Sequence, residues 1–249
     1  MALNSKSMKL DLPKLIGHRG LAGVAPENTM PAFEAAARHG LRFVELDAKL
    51  CASGELIVLH DNDVKRTSTG RGRAQAMSWA QLKKLDAGSW FDPAFRGTRI
   101  PRLIEVLDFC RAKGVGVNIE LKPNRGDYVQ TARAVATLLQ QEKLVGQLPL
   151  FISSFSIQSL RAARDCMPEL PRGLLMERRT TLRHILERTQ ELGTCTFNYD
   201  RKLISAERVQ QLNARGIPTL IWTVNDANEA RKLLAMGVSS IFSDFPLKL

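Results

Sequence analysis

Residues 101–122 read Pro-Arg-Leu-Ile-Glu-Val-Leu-Asp-Phe-Cys-Arg-Ala-Lys-Gly-Val-Gly-Val-Asn-Ile-Glu-Leu-Lys. Leu103, Val106, Leu107 and Cys110 recur at helical spacing. Pro101 stands near the start of this pattern and Gly114 just past its end. Proline suits a helix start because its missing N–H would be unused there, and glycine suits the exit because it tolerates left-handed backbone. The period then changes to two. Val115, Val117, Ile119 and Leu121 alternate with Asn118, Glu120 and Lys122, as in a strand. A helix that leaves through glycine into an apolar strand is an αβ unit.

The same unit recurs in both directions along the chain. Val129, Ala132, Val135, Ala136 and Leu139 give the next helical pattern. Residues 203–214 end at Gly216, and residues 227–236 end at Gly237. Strand patterns fall at residues 15–18, 42–47, 115–122, 148–155, 173–176, 194–199, 219–224 and 240–243. Eight strands mostly separated by helices predict a TIM (β/α)8 barrel, for which roughly 250 residues is the usual size. A doubly wound nucleotide-binding sheet lacks support, because neither GxGxxG nor GxxxxGK[ST] occurs. The expectation is a single domain over residues 1–249.

Two stretches break the alternation. Residues 43–60 hold two extended runs with no room for a crossover helix, so they read as a hairpin. A turn centred near residues 51–53 sets Glu45 roughly opposite His60. Residues 61–100 are rich in Gly, Arg, Thr and Ser, with one short helix around 79–85. They read as a small insertion, and loops of this length usually serve function.

Composition bounds the partners. Lys+Arg 36 against Asp+Glu 25 gives a net charge of +11, but no run of five or six basic residues occurs. Aromatic residues are only 6%, so the sequence lacks the basic, aromatic-lined track of a nucleic-acid binder. Hydrophobic residues at 44% and charged residues at 24% exclude disorder. The four cysteines form no CxxC pair, which favours reduced thiols and a cytoplasmic location. Residues 1–11 are polar and do not read as a secretory signal. No apolar run approaches 18 residues, so neither a transmembrane helix nor stable membrane association is expected.

Four local patterns carry chemistry. Gly17-His18-Arg19-Gly20 ends the first strand and offers a proton carrier beside a fork suited to phosphate oxygens. Glu45 and Asp47 lie two apart on a strand and project from one face. Asn118, Glu120 and Lys122 do the same on the strand quoted above. His60-Asp61 closes the hairpin return. Of the four histidines, His39 precedes Gly40 as a helix-end cap and His184 sits in an amphipathic helix, which leaves His18 and His60 at one rim. Three carboxylates without a cysteine cluster favour Mg²⁺ or Ca²⁺, with Mn²⁺ as a further option, over zinc. Two histidines, a cation and basic groups suit displacement at phosphorus.

Together these residues resemble the glycerophosphodiester phosphodiesterases. Ala25-Pro26-Glu27-Asn28-Thr29, Arg66-Thr67-Ser68, residues 85–91 and Trp222-Thr223-Val224-Asn225 continue the match over nearly the full chain. The pattern is most similar to the cytosolic bacterial type associated with glycerol-phosphate uptake. The resemblance implies hydrolysis of a small-molecule glycerophosphodiester, such as glycerophosphocholine or glycerophosphoethanolamine, to glycerol 3-phosphate and an alcohol. It implies Glu45, Asp47 and Glu120 as metal ligands and His18 and His60 as the acid/base pair, in either assignment. Arg19 and Lys122 match the phosphate-holding positions, and Trp222 is a candidate pocket wall. A lysophospholipase D-type activity is the alternative. Arg102 departs from the family's usual Thr, and Val238-Ser239-Ser240 from its usual Val-Asp-Gly. Asn28 reads as the helix N-cap for the segment through Arg38. The sequence leaves the head group, the ion and the oligomeric state open.

Overall fold

Strand pairing closes the chain on itself. In this computed structural model, which describes residues 10–249, β1 (Leu15–Gly17) pairs with both β2 (Phe43–Leu50) and β9 (Ser240–Ser243). Between them β4 (Gly116–Leu121), β5 (Leu150–Ser154), β6 (Arg172–Met176), β7 (Thr196–Asp200) and β8 (Thr219–Trp222) follow in order, all parallel. The result is a closed, eight-stranded parallel TIM barrel. Helices α1 (Met30–Arg38) and α3 (Leu103–Lys113) flank the β2 region. Helices α4 (Tyr128–Gln141), α5 (Ile157–Cys166), α6 (Leu182–Leu192), α7 (Ala206–Asn213) and α8 (Ala227–Ala235) join the later strands. The reading of residues 1–11 rests mostly on residues 1–9, which lie outside the described residues.

The β2 return is a hairpin, as expected, but its register is one residue off. In β3 (Leu56–Val58), Val58 pairs with Ala48 and Leu56 with Leu50, and the Leu59 amide bonds the Asp47 carbonyl. His60 therefore falls beside Leu46 in register, not Glu45. The turn runs over residues 51–55, with Gly54 at φ 89°, and is longer than the expected centre allows.

Residues 61–100 carry α2 (Trp79–Leu82), shorter than expected, and two single 3₁₀ turns. Val64, Ala74, Leu82, Ala87 and Ile100 bury a small apolar cluster against Ile57 and Leu59. This fixes the segment beside β3. Arg102 begins α3 without offering the side-chain oxygen that Thr would supply. Glu105 compensates from the first turn by accepting the Arg102 amide at 2.7 Å.

Period-two alternation sorts the barrel strands. Val44, Leu46, Ile119 and Ile152 face the helices, whereas Ile16, Phe43, Phe151, Leu220 and Phe242 plug the barrel interior. Phe43 and Phe151 meet at 5.9 Å. Gly116 makes room for this plug, since a Cβ there would stand 2.2 Å from the Phe43 ring. Above the plug the inward positions turn polar. Phe43→Ala is expected to cost about 3–5 kcal/mol, because the closed barrel has little freedom to collapse around the void. A denaturant titration checks this, with an unchanged slope and a lowered midpoint expected.

Candidate active site

The polar layer sits at the carboxyl ends of the strands, the rim where TIM barrels hold their chemistry. The β2–β4 register sets Glu45 beside Asn118 and Asp47 beside Glu120. Carboxylate oxygens of Glu45, Asp47 and Glu120 all lie within 4.8 Å of one another. All three residues are buried. Glu45 Oε1 and Asp47 Oδ1 have no hydrogen-bond partner among the described residues. Buried carboxylates are costly unless compensated, and these three lie close enough together to share one cation. An all-oxygen donor set of this kind fits a hard divalent cation such as Mg²⁺ or Ca²⁺.

The protonation of the metal-free trio follows from its crowding. Burial and the neighbouring Asp47 and Glu120 charges push Glu45 well above the ordinary carboxylate range. Burial lifts Glu120 to about 7, against the pull of Lys122. Burial acts the same way on Asp47, but Lys122 and Arg19 outweigh it and hold Asp47 low. Lys122 Nζ stands 2.7 Å from Glu120 Oε1 and 3.7 Å from Asp47 Oδ1.

Both histidines are oriented by a carboxylate. His18 Nδ1 lies 2.7 Å from Asp244 Oδ1, and Asn225 Nδ2 donates to Asp244 Oδ2 at 2.7 Å. His60 Nδ1 lies 2.6 Å from Asp61 Oδ1. An ionised carboxylate only accepts, so each Nδ1 carries its proton and Nε2 is the exchangeable position in the neutral ring. Burial lowers the His60 pKa, while Asp47 and Asp61 oppose that shift.

A chain of ion pairs ties these parts together. The Arg19 amide donates to Glu45 Oε2 at 2.9 Å, and its guanidinium reaches Glu27 at 2.7 Å and Asp47 at 3.3 Å. Arg19 holds φ at 51°, and Gly20 follows at φ 82°. A Cβ on Gly20 would stand 2.6 Å from the Ala32 carbonyl carbon, so only glycine fits there. Arg66, from the insertion, bonds both Glu27 and Asp61. Those bonds to Arg66 hold Asp61 down to about 2.

The structure thus brings His18, Arg19, Glu45, Asp47, His60, Glu120 and Lys122 to one rim. Trp222 also borders the cavity there, with its ring 5.5 Å from Phe155. Asn28 departs from expectation. Thr29 is the N-cap of α1, whereas Asn28 sits at φ 57° and donates through Nδ2 to Asp47 Oδ2 at 2.7 Å. Asp244, Lys49 and the orienting role of Arg66 had no reading in the sequence. Lys49 is fully buried and donates to Asn62 Oδ1 at 2.8 Å and to the Lys122 carbonyl at 3.0 Å, pinning the segment after His60 to the end of β4.

The model of the glycerophosphoryl diester phosphodiesterase family matches residues 18–248. The chain belongs to this family. It is a phosphoric diester hydrolase. A glycerophosphodiester phosphodiesterase of Bacillus subtilis is 32% identical over 245 residues, covering 93% of this chain and 83% of its own. Another, from Caldanaerobacter subterraneus subsp. tengcongensis, is 32% identical over 237 residues, covering 93% and 94%. Among solved structures, a phosphodiesterase of Oleispira antarctica in complex with the product sn-glycerol-3-phosphate superposes with a TM-score of 0.91. It is 34% identical, with 94% of each chain covered. Among the described residues of this family member, no helix is long and apolar enough to cross a membrane.

Proposed function

We propose that the chain works as one catalytic unit that hydrolyses glycerophosphodiesters, such as glycerophosphocholine or glycerophosphoethanolamine, to sn-glycerol 3-phosphate and the free alcohol. The convergence of three buried carboxylates with two carboxylate-oriented histidines carries this reading. Glu45, Asp47 and Glu120 would hold Mg²⁺ or Ca²⁺. Such a cation, when bound, neutralises charge on the phosphoryl oxygens.

The chain's own residues do the rest. Arg19 and Lys122 hold the phosphate and stabilise the charge that builds on its oxygens. Arg19 is fixed for this by Glu27, and Lys122 by Glu120. One histidine takes the nucleophile's proton and the other returns one to the departing oxygen, each through Nε2. Asp244 and Asp61 hold the rings in the productive tautomer. Trp222 walls the cavity and limits the access of water. The four free cysteines fit a reducing, cytoplasmic setting.

Product analysis tests the reading. Incubation with glycerophosphoethanolamine is expected to release sn-glycerol 3-phosphate and ethanolamine in equal amounts. Release of phosphoethanolamine and glycerol would place cleavage on the wrong side of phosphorus and overturn it.

A further inference from the structure

Two cavities meet at the rim, an inner one of about 270 Å³ and a more open outer one of about 580 Å³, and His60 and Lys122 border both. Next to this site lies a buried cation that the chemistry proposed above leaves without a task. Glu45, Asp47 and Lys49 form one period-two row on β2, so Lys49 projects to the same face as the two carboxylates. Lys49 is 0% exposed. An ammonium taken wholly out of water is costly unless fixed acceptors satisfy its donors. Both hydrogen-bond partners of Lys49 Nζ are neutral oxygens, Asn62 Oδ1 at 2.8 Å and the Lys122 carbonyl at 3.0 Å.

We propose that Lys49 is a positioning residue for the hydrolysis, whose ammonium holds the segment carrying His60 at a fixed distance from the segment carrying Lys122. The inference rests on the phosphodiesterase reading above. In the sheet β2 lies between β3 and β4. Its ladder ends with the Leu59 amide on the Asp47 carbonyl on one side and the Lys122 amide on the Ala48 carbonyl on the other. Beyond these bonds, residues 60–62 and residues 122–124 leave β2 on opposite sides. Asn124 Nδ2 ties the second segment to the Leu50 carbonyl at 3.0 Å. The first is tied outward, to the insertion, through Arg66 on Asp61 and the Ala74 amide on the Asn62 carbonyl. Among the described residues, Lys49 is the one side chain that hydrogen-bonds both segments.

The donors matter as well as the length. A methionine would fill the same space, but Asn62 Oδ1 and the Lys122 carbonyl would lose their shared donor. Asn62 is exposed, so water replaces the ammonium there and the link is gone. His60 and Lys122 then no longer keep their spacing across the phosphate. A misplacement of about 1 Å costs on the order of 10²-fold in rate, because reacting groups must be in contact and aligned. The diester would still meet Arg19 and the carboxylate-bound cation. Ground-state binding therefore survives, and the loss falls on kcat.

Steady-state kinetics of cation-loaded protein on glycerophosphocholine, run beside thermal melts, tests this. Asn62→Leu changes an exposed residue and should leave the fold intact. It is expected to lower kcat by about tenfold or more, with KM within about threefold of wild type and Tm within about 3 °C. Asn62→Asp keeps an acceptor for the ammonium and is expected to hold kcat within about threefold of wild type. Lys49→Met is expected to lose about 10²-fold in kcat, and adding Asn62→Leu to it should cost nothing further, because both changes cut one link. A wild-type kcat in Asn62→Leu overturns the assignment. So does an equal loss in Asn62→Asp, or a double variant in which the two losses multiply. If Lys49→Met fails to fold, the two Asn62 variants decide alone. Wild-type protein that releases no sn-glycerol 3-phosphate strikes the phosphodiesterase reading, and the assignment with it.

Discussion

Alanine at His60 or at His18 is expected to lower kcat/KM for a choline or ethanolamine diester by about 10²–10⁴-fold, a loss of roughly 3–5 kcal/mol of transition-state stabilisation. In the proposed mechanism each ring supplies a proton transfer that water performs poorly, and no other histidine among the described residues borders the cavities. The fold should survive. Each side chain is partly exposed and makes one hydrogen bond to a neighbouring carboxylate, so stability should change by about 1 kcal/mol. Parallel rate and thermal-melt measurements separate the two effects. A rate within about fivefold of wild type in either variant, with its melt unchanged, would remove that histidine from the acid/base pair.

Glu120→Gln should split stability into opposite responses. In the metal-free protein the three buried carboxylates repel, and burial already lifts Glu120 to about 7. Glutamine removes that repulsion while still accepting from Lys122 Nζ, so the metal-free melting temperature should rise. The gain on adding cation should vanish. In the wild type, cation at a hundredfold its Kd contributes about 2.7 kcal/mol, or about 5–10 °C in Tm for a chain of this size. Acidity tests the same site in the wild type. Below pH about 7 the metal-free trio keeps a proton that the cation must displace. Affinity measured by calorimetry should therefore weaken as the pH falls through 7. A Glu120→Gln protein that still gains the full cation-induced shift would take Glu120 out of the ligand set.

Much of the site was legible because a strand sends alternate residues to one face. That single rule put Glu45 with Asp47 and Asn118 with Glu120, and the barrel's parallel register then set the two pairs side by side. The hairpin shows where the rule stops. Its register depends on the number of residues in the turn, and the turn over residues 51–55 moves every pairing by one. Asn28 misled because a polar residue before a helix is usually a cap, whereas its left-handed backbone turns the side chain to Asp47. Asp244 is 226 residues from the histidine it orients, and only closure of β9 onto β1 brings them together. Arg66 is similar, since nothing local says that an insertion reaches back to Glu27 and Asp61. The net charge of +11 comes from basic residues scattered along the chain. The structure sets Arg19 and Lys122 against buried carboxylates at the rim, where we propose that they hold a single phosphate group.

The proposed cation, held by Glu45, Asp47 and Glu120, is tested most directly by turnover of glycerophosphocholine by chelator-stripped protein. Release of sn-glycerol 3-phosphate should fall to background after stripping and return as Mg²⁺ or Ca²⁺ is added back, saturating as one ion binds per chain. Full activity in stripped protein, with no response to added cation, would contradict it.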